Sequence, residues 1–226
     1  MAVHIIGADC SLGEAVVDKL LGMDIDVIAA EESHFARNEI MLRYSKSNLS
    51  KTGEGFSVSF DGTEADIVVG KDIIITDMIP NRPDKWMPQE IKSWMEGNDQ
   101  HSQPRYWVSI VDVATAVAHI AKNEQKIDQI KVCGRRRWLP EDSKAEFEML
   151  WQRTQQGQSG NFTTSVLFGH EIAGMEAVPI TDEEYSRPDL EPLHKILNEL
   201  TSEGWRPLIP FRTALMTLIA GILEEK

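Results

Sequence analysis

The start of the chain alternates between apolar runs and a helical pattern. Residues 2–6 form a short apolar run that Gly7 ends, and residues 26–30 form a second run. Between them, apolar side chains recur at helical spacing over residues 12–21. This order predicts a β-α-β unit, and because such units cross over in a right-handed sense, the two strands are expected to pair in parallel.

The following stretch, residues 32–54, is polar and weakly patterned, and residues 56–60 then alternate like a strand. Two apolar runs come next, ADIVVG at 65–70 and DIIITDMI at 72–79. Both predict buried strands, although they lie close together for parallel strands that need a crossover between them.

The second half of the chain predicts mixed elements. RYWVSI and IKVCG have the pattern of strands, and Asp112 is expected to cap the helix VATAVAHIAKN. Further helices are predicted over residues 88–95, 141–153, 190–200 and 211–225.

The alternation of strands and helices predicts an α/β fold, a shortened Rossmann-like parallel sheet with a small C-terminal mixed α/β lobe. We expect one Rossmann-like domain over residues 1–226, with a substrate-type lobe drawn mainly from about 80–104 and 135–226.

Charge narrows the classes of partner. Lysine and arginine total 23 against 36 acidic residues, which gives a formal net charge of -13. Nucleic-acid binders use a basic surface to attract phosphates, so no nucleic-acid partner is expected.

Cysteine usage and hydropathy indicate in which cellular compartment the protein is expected. The two cysteines, Cys10 and Cys133, have neither the number nor the spacing of a disulfide framework or a zinc site. No signal-peptide pattern is visible, and the apolar run at 214–223 is too short to span a bilayer. A cytoplasmic protein with no membrane partner is expected.

Four segments together resemble the extended short-chain dehydrogenase/reductase family, the NAD-dependent epimerases and dehydratases of nucleotide sugars. GADCSLGEAVVDKLL resembles the family's G-x-x-G-x-x-G and its apolar helix, and RYWVSIVDVATAVAHIA resembles R-D-[FW]-V-H-V-D-D-V-A. SRPDLEPLHKILNELTSEGWRPLIPFRTALMTLI is similar to the closing R-P-x-D, S-K and L-G-W-x-P segments, and DIIITDMIPNRPD to the strand that ends in R-x-x-N-x-Y-G-P.

The resemblance lacks the family's central segment, which carries its catalytic Ser/Thr and Y-x-x-x-K. Only the short stretch between Glu31 and Asp72 stands in its place. Tyr44 is followed by Lys46, two residues on, whereas the chemistry needs the lysine one helical turn away on the same face. No catalytic residues are therefore assigned.

The resemblance implies a dinucleotide site at the first turn. In a Rossmann unit the glycines allow the tight turn, the approach of the pyrophosphate and close helix packing. Gly7 and Gly13 keep the outer positions, whereas Cys10 fills the middle one and Asp9 places a carboxylate beside it, so we expect weakened NAD binding. The cofactor-binding candidates are Gly7, Cys10, Ser11, Leu12, Gly13 and Glu31.

Glu31 ends the second predicted strand, where an acid accepts hydrogen bonds from the adenosine ribose and disfavours a 2'-phosphate. NAD is therefore favoured over NADP. The pair Glu31 and Glu32 is equally compatible with a solvated loop.

The resemblance also implies substrate-binding roles for Arg105 and Arg187, since guanidinium groups bind the diphosphate of a nucleotide sugar with paired donors. Pairing of these arginines with the many acids is the alternative. The cluster of Arg135, Arg136 and Arg137 is a further candidate for a phosphate, or a solvated turn.

Two functions stay open at this point. One is an NAD(P)-binding Rossmann protein related to nucleotide-sugar epimerases and dehydratases, with reduced or absent catalysis by the family mechanism. The other is a non-catalytic binding, regulatory or assembly protein on the same scaffold, with a nucleotide or nucleotide sugar as the candidate ligand.

Overall fold

The computed structural model describes residues 2–98, 103–159 and 187–224. Its main sheet has five parallel strands in the order β3-β2-β1-β4-β5. These strands are β1 (Ala2–Ile6), β2 (Asp26–Ala29), β3 (Leu49–Ser50), β4 (Phe56–Ser59) and β5 (Ile67–Val68). This is the order of a Rossmann sheet, in which ligands bind at the carboxyl ends of the strands where the order reverses.

The predicted β-α-β unit is confirmed. β1 pairs in parallel with β2, with Val3 opposite Val27 and Ile5 opposite Ala29. β1 also pairs in parallel with β4, so it is the central strand; Val3 and Ile5 on one face are buried in the core, and His4 and Ile6 on the other face are half-buried.

Four more strands form two parallel pairs beyond the main sheet. β6 (Ile73–Ile75) pairs with β9 (Ile130–Val132), and β7 (Met78–Ile79) pairs with β8 (Val108–Ser109). Of the two apolar runs that lie close in the sequence, the first holds β5, which pairs with β4, and the second holds β6 and β7. The two runs meet only at an isolated bridge between Val69 and Ile73 within the described residues.

Helices flank these strands. They are α1 (Ser11–Gly22), α2 (Ser33–Tyr44), α3 (Gln89–Met95), α4 (Ile110–Lys122), α5 (Pro140–Ser159), α6 (Glu191–Thr201) and α7 (Phe211–Glu224). α1 and α4 pack against each other, and α6 packs on α4. No helix in the described ranges is long and apolar enough to cross a bilayer.

Two hydrophobic clusters hold the fold together. The first joins the main sheet to α1, α4 and α6 and includes Trp205, whose Nε1 donates to the carbonyl of Cys133 at 3.0 Å. The second lies among α3, α5 and α7 and is aromatic, with the rings of Trp107 and Phe211 stacked at 5.6 Å. Most of its residues lie in the segments predicted to form the small lobe, whereas Ile79 and Trp107 lie outside them.

Two local expectations are corrected. Asp112 does not cap α4, because the side chain of Ser109 accepts from Val111 N and makes the cap. Asp112 instead accepts the backbone N–H groups of Leu208 and Ile209 at 2.9 and 3.1 Å. It thereby joins the start of α4 to the loop before α7.

The second correction is α2, which lies inside the stretch that has no clear pattern in the sequence. Its fully buried side chains are His34 and Asn38. A helix that buries polar residues has no apolar stripe from which hydrophobic periodicity could predict it.

Candidate functional site

The turn between β1 and α1 lies at the carboxyl end of the central strand. Gly7 adopts a φ of +66°, and a Cβ there would lie 2.7 Å from Asp61 Cβ. A Cβ at Gly13 would lie 2.6 Å from Ala8 Cα. Both glycines therefore have the conformational and packing roles that the motif assigns to them, while their role toward a cofactor stays a prediction.

Backbone N–H groups of this turn have acceptors within the protein. Ala8 N donates to Glu31 Oε1 at 2.9 Å, and Gly13 N donates to Cys10 Sγ at 3.4 Å. Cys10 is buried and is the N-cap of α1, so its thiol packs as a small capping residue. Ser11 and Leu12 are fully buried, backbone included, so neither is exposed to a ligand in this structure.

A third acceptor comes from a distant segment. Ser11 N, at the first position of α1, donates to Asp84 Oδ2 at 2.7 Å. The contact joins residues 73 apart in the sequence. A carboxylate thus lies at the N-terminus of the helix where a Rossmann fold binds the pyrophosphate of its cofactor.

With Asp84 on Ser11 N, this arrangement does not admit a pyrophosphate unless Asp84 is displaced. The anion position at the start of α1 holds Asp84, and the amide of Gly13 is satisfied by Cys10. A second anion beside the carboxylate would be repelled at close range. No reaction step is therefore derived through a dinucleotide.

Glu31 is more than a solvated loop residue. Its side chain is 25% exposed, and besides accepting from Ala8 its Oε2 lies 3.4 Å from Nε2 of the fully buried His34. Burial, followed by the positive charge of Arg37, lowers the pKa of His34 below its ordinary value. Glu32, by contrast, is exposed and pairs with Lys51.

Tyr44 and Lys46 are remote from this turn. Tyr44 ends α2 and is 86% exposed, and Lys46 N donates to the side chain of Asp24, just before β2 begins. The pair therefore lies at the amino end of the strands, opposite the edge where a Rossmann sheet binds its ligand. This position provides no catalytic role.

A cavity of about 660 Å³ lies beside β9 and the start of α6. Three guanidinium groups line it, those of Arg135, Arg137 and Arg187. Its other lining residues are Tyr106, Pro188, Asp189, Leu190, Glu191, His194 and Trp205. We call this the arginine pocket.

Arg137 is the pocket arginine with a buried donor. Its Nε is buried and has no hydrogen-bond partner among the described residues. Arg187 donates to the carbonyl of Arg135 at 3.5 Å. In the same part of the chain, none of these three arginines forms an ion pair, although Asp189 and Glu191 line the pocket.

Arg105, the other predicted substrate arginine, is placed elsewhere. It binds Asp77 Oδ1 at 3.1 Å and also pairs with Glu90, and the three line a separate cavity of about 380 Å³. The pairing alternative thus describes Arg105, whereas Arg187 lies in the arginine pocket. The structure does not bring the two together in one cavity.

His194 is a pocket residue that the sequence analysis missed. Trp205 N donates to its Nδ1 at 3.1 Å, so the neutral ring carries its proton on Nε2. No spacing marks this histidine, because the partner that orients it comes from the loop after α6.

Thiol and metal chemistry have little support. Burial, with the nearby Asp77 carboxylate, raises the pKa of Cys133 to about 11, so the thiol stays protonated at neutral pH. Across residues 2–98, 103–159 and 187–224, no group of His, Cys, Asp and Glu side chains has the arrangement of a metal site.

Comparison with solved structures identifies proteins with a similar fold. The structure superposes on dTDP-glucose 4,6-dehydratase from Bacillus anthracis, solved in complex with NAD, with a TM-score of 0.52. The match covers 100% of this chain and 97% of the other, at 10% sequence identity. The chain shares the fold of this dehydratase.

Two further structures show lower similarity. The enzyme WbmF of Bordetella bronchiseptica, in complex with NAD+ and UDP, matches with a TM-score of 0.48 at 10% identity, over 97% of this chain and 91% of the other. UDP-N-acetylglucosamine 4-epimerase from Bacillus cereus matches with a TM-score of 0.47 at 11% identity, over 100% of both chains. No family model matches the sequence. No curated protein matches it either.

At the level of the fold, the predicted resemblance is confirmed by the match to the nucleotide-sugar dehydratase. So is the prediction of a Rossmann-like α/β fold with a parallel sheet.

Proposed function

We propose that this protein is a non-catalytic ligand-binding protein on the epimerase/dehydratase scaffold. Its ligand is a nucleotide or nucleotide sugar, held by its phosphates in the arginine pocket. The observation that carries the proposal is the group of three guanidinium groups free of ion pairs around one cavity, within the described chain.

Phosphate chemistry suits this pocket. A guanidinium group meets phosphate oxygens with paired, charge-assisted donors, and the partly buried Arg137 has an Nε that such a ligand would satisfy. The proton on His194 Nε2 adds a neutral donor. Asp189 and Glu191 provide carboxylates that accept hydrogen bonds from the hydroxyl groups of a ribose or sugar.

Absence of turnover follows from missing proton-transfer groups. The family mechanism needs a tyrosine and a lysine one helical turn apart, and no such pair occurs in the sequence of α2 or the strands around it. Tyr44 and Lys46 lie at the wrong end of the sheet.

NAD is the dinucleotide we propose for the turn at Gly7–Gly13, bound weakly. Glu31 lies beside that turn, where an acid favours the free ribose hydroxyls of NAD over the 2'-phosphate of NADP. Because Gly13 N already donates to Cys10 Sγ, the turn has one N–H group fewer for a pyrophosphate.

Isothermal titration of UDP tests the arginine pocket. We expect UDP to bind the wild-type protein and Arg137→Ala to weaken that binding by about tenfold or more, since a hydrogen bond to a charged group contributes about 1.5–3 kcal/mol. The matched control is Arg43→Ala, which removes an exposed arginine paired with Glu39 on α2.

Unchanged UDP affinity in Arg137→Ala, or equal losses in both variants, would place the nucleotide elsewhere. Failure of the wild-type protein to bind UDP, UDP-glucose or inorganic pyrophosphate at millimolar concentration would refute the proposal.

A further inference from the structure

We infer that residues 82–86 are a built-in plug of the dinucleotide site, so that plug docking and dinucleotide binding exclude each other. The inference rests on the NAD binding proposed for the turn at Gly7–Gly13 and is independent of the arginine pocket, which is lined by different residues.

The plug is held on the first turn of α1 by several contacts. Asp84 Oδ2 accepts from Ser11 N at 2.7 Å. Arg82 donates to the carbonyl of Asp9 at 2.9 Å and pairs with Glu14 at 3.2 Å. The side chains of Asp84 and Arg82 thus bind backbone atoms of the turn, and Arg82 also binds the side chain of Glu14 on α1.

One further contact lies within the plug, and another joins the plug to the segment after β4. Asp84 Oδ1 accepts from Trp86 N at 2.9 Å, so both oxygens of the carboxylate are used. Lys85 Nζ donates to the carbonyl of Phe60, after β4, at 2.7 Å. The plug therefore spans the gap between the ends of β1 and β4, where the strand order reverses.

The carboxylate of Asp84 takes the place of a phosphate. The N-terminus of a helix offers free N–H groups and a positive dipole end, and it binds a carboxylate or a phosphate by the same interactions. Only one anion can accept from Ser11 N in this geometry, so a pyrophosphate has to displace Asp84.

The base of the plug is fixed. A Cβ at Gly221 would lie 2.2 Å from the carbonyl oxygen of Asn81, so α7 packs directly on the backbone just before the plug. After the plug, Met87 is buried in the second hydrophobic cluster. Displacement therefore involves residues 82–86 and leaves their two ends in place.

Titration of NAD into Asp84→Ala tests the inference. Removing the competing carboxylate should tighten NAD binding by about ten- to a hundredfold over wild type, the range that a charged hydrogen bond covers. The matched control is Asp66→Ala, since Asp66 also accepts a backbone N–H, that of Ser57 at 2.9 Å, away from the plug. UDP affinity should stay unchanged in both variants, which separates this test from that of the arginine pocket.

A second measurement uses the wild-type protein and does not depend on any variant's folding. Lys85 precedes Trp86, which makes a trypsin site inside the plug. Saturating NAD should accelerate cleavage after Lys85 by about tenfold, because cleavage of a displaced segment follows its open population.

Three results would overturn the inference. One is equal NAD affinity in Asp84→Ala and wild type, and another is failure of both to bind NAD at millimolar concentration. The third is an NAD-bound wild-type protein in which cleavage after Lys85 is unchanged or slower.

Discussion

Two glycines of the turn between β1 and α1 have the structural roles that the sequence motif predicts. Gly7 and Gly13 have the spacing of a Rossmann turn, and each lies where a side chain would collide with its neighbours. Local chemistry of this kind is readable from sequence, because one backbone conformation or one close approach demands one residue type.

A pair of glycine substitutions on the same helix tests this point. Gly13→Ala places a Cβ 2.6 Å from Ala8 Cα and should reduce the free energy of unfolding by about 1–3 kcal/mol, the cost of overpacking. Gly22→Ala adds a Cβ with nothing within 4 Å and should raise it by up to about 1 kcal/mol. Urea unfolding of the two variants gives the comparison.

Equal effects of the two substitutions would mean that α1 does not lie so close to the end of β1.

Asp84 marks the limit of residue-level prediction. It follows Pro83 in a polar loop, and nothing in its neighbourhood indicates that its carboxylate reaches Ser11 N, 73 positions away. Arg105 and Arg187 show the same limit, since the family motif treats both as substrate residues and only the fold shows that Arg105 binds Asp77 and Glu90.

Elements with an apolar face were predicted to within a few residues, and α2 was not predicted at all. α1, α4 and α7 bury apolar stripes that repeat at helical spacing. α2 buries His34 and Asn38, and Asn38 Nδ2 donates to Asp18 on α1 at 2.9 Å. Polar packing between two helices has no periodic signature in the sequence.

The buried His34 makes the packing of α2 sensitive to pH. Burial lowers its pKa, so the folded state keeps the ring neutral while the unfolded chain binds a proton below about pH 6.5. The free energy of unfolding should therefore fall as pH drops below 6.5 toward the lower folded pKa. In His34→Gln this contribution should disappear, which urea unfolding at pH 7 and pH 5 measures.

If wild type and His34→Gln lose the same free energy of unfolding between pH 7 and pH 5, the fold does not hold His34 neutral. His119→Gln should remove a second contribution of the same sign, because burial also lowers the pKa of His119 on α4.

At the scale of the whole molecule, the order of strands and helices was sufficient to predict a Rossmann-like sheet. The arrangement beyond β5 was less predictable, because β6 and β7 pair with strands from much later in the chain. The aromatic cluster among α3, α5 and α7 likewise joins residues that no local pattern relates.

The molecule as a whole combines a Rossmann-like parallel sheet, a first turn whose Ser11 N binds Asp84, and a separate arginine pocket. Ligand recognition without turnover accounts for all three features. The fold alone does not decide this, since the same scaffold supports active enzymes and binding proteins.

The central claim is binding without turnover, and one sample tests it most directly. The wild-type protein is incubated with UDP-N-acetylglucosamine and NAD, binding is followed by thermal shift, and the sugar by proton NMR over a day. We predict a concentration-dependent rise in the melting temperature and a sugar spectrum that stays unchanged. Appearance of a 4-epimer or a 4-keto sugar, or the absence of any thermal shift at millimolar nucleotide sugar, would contradict the account.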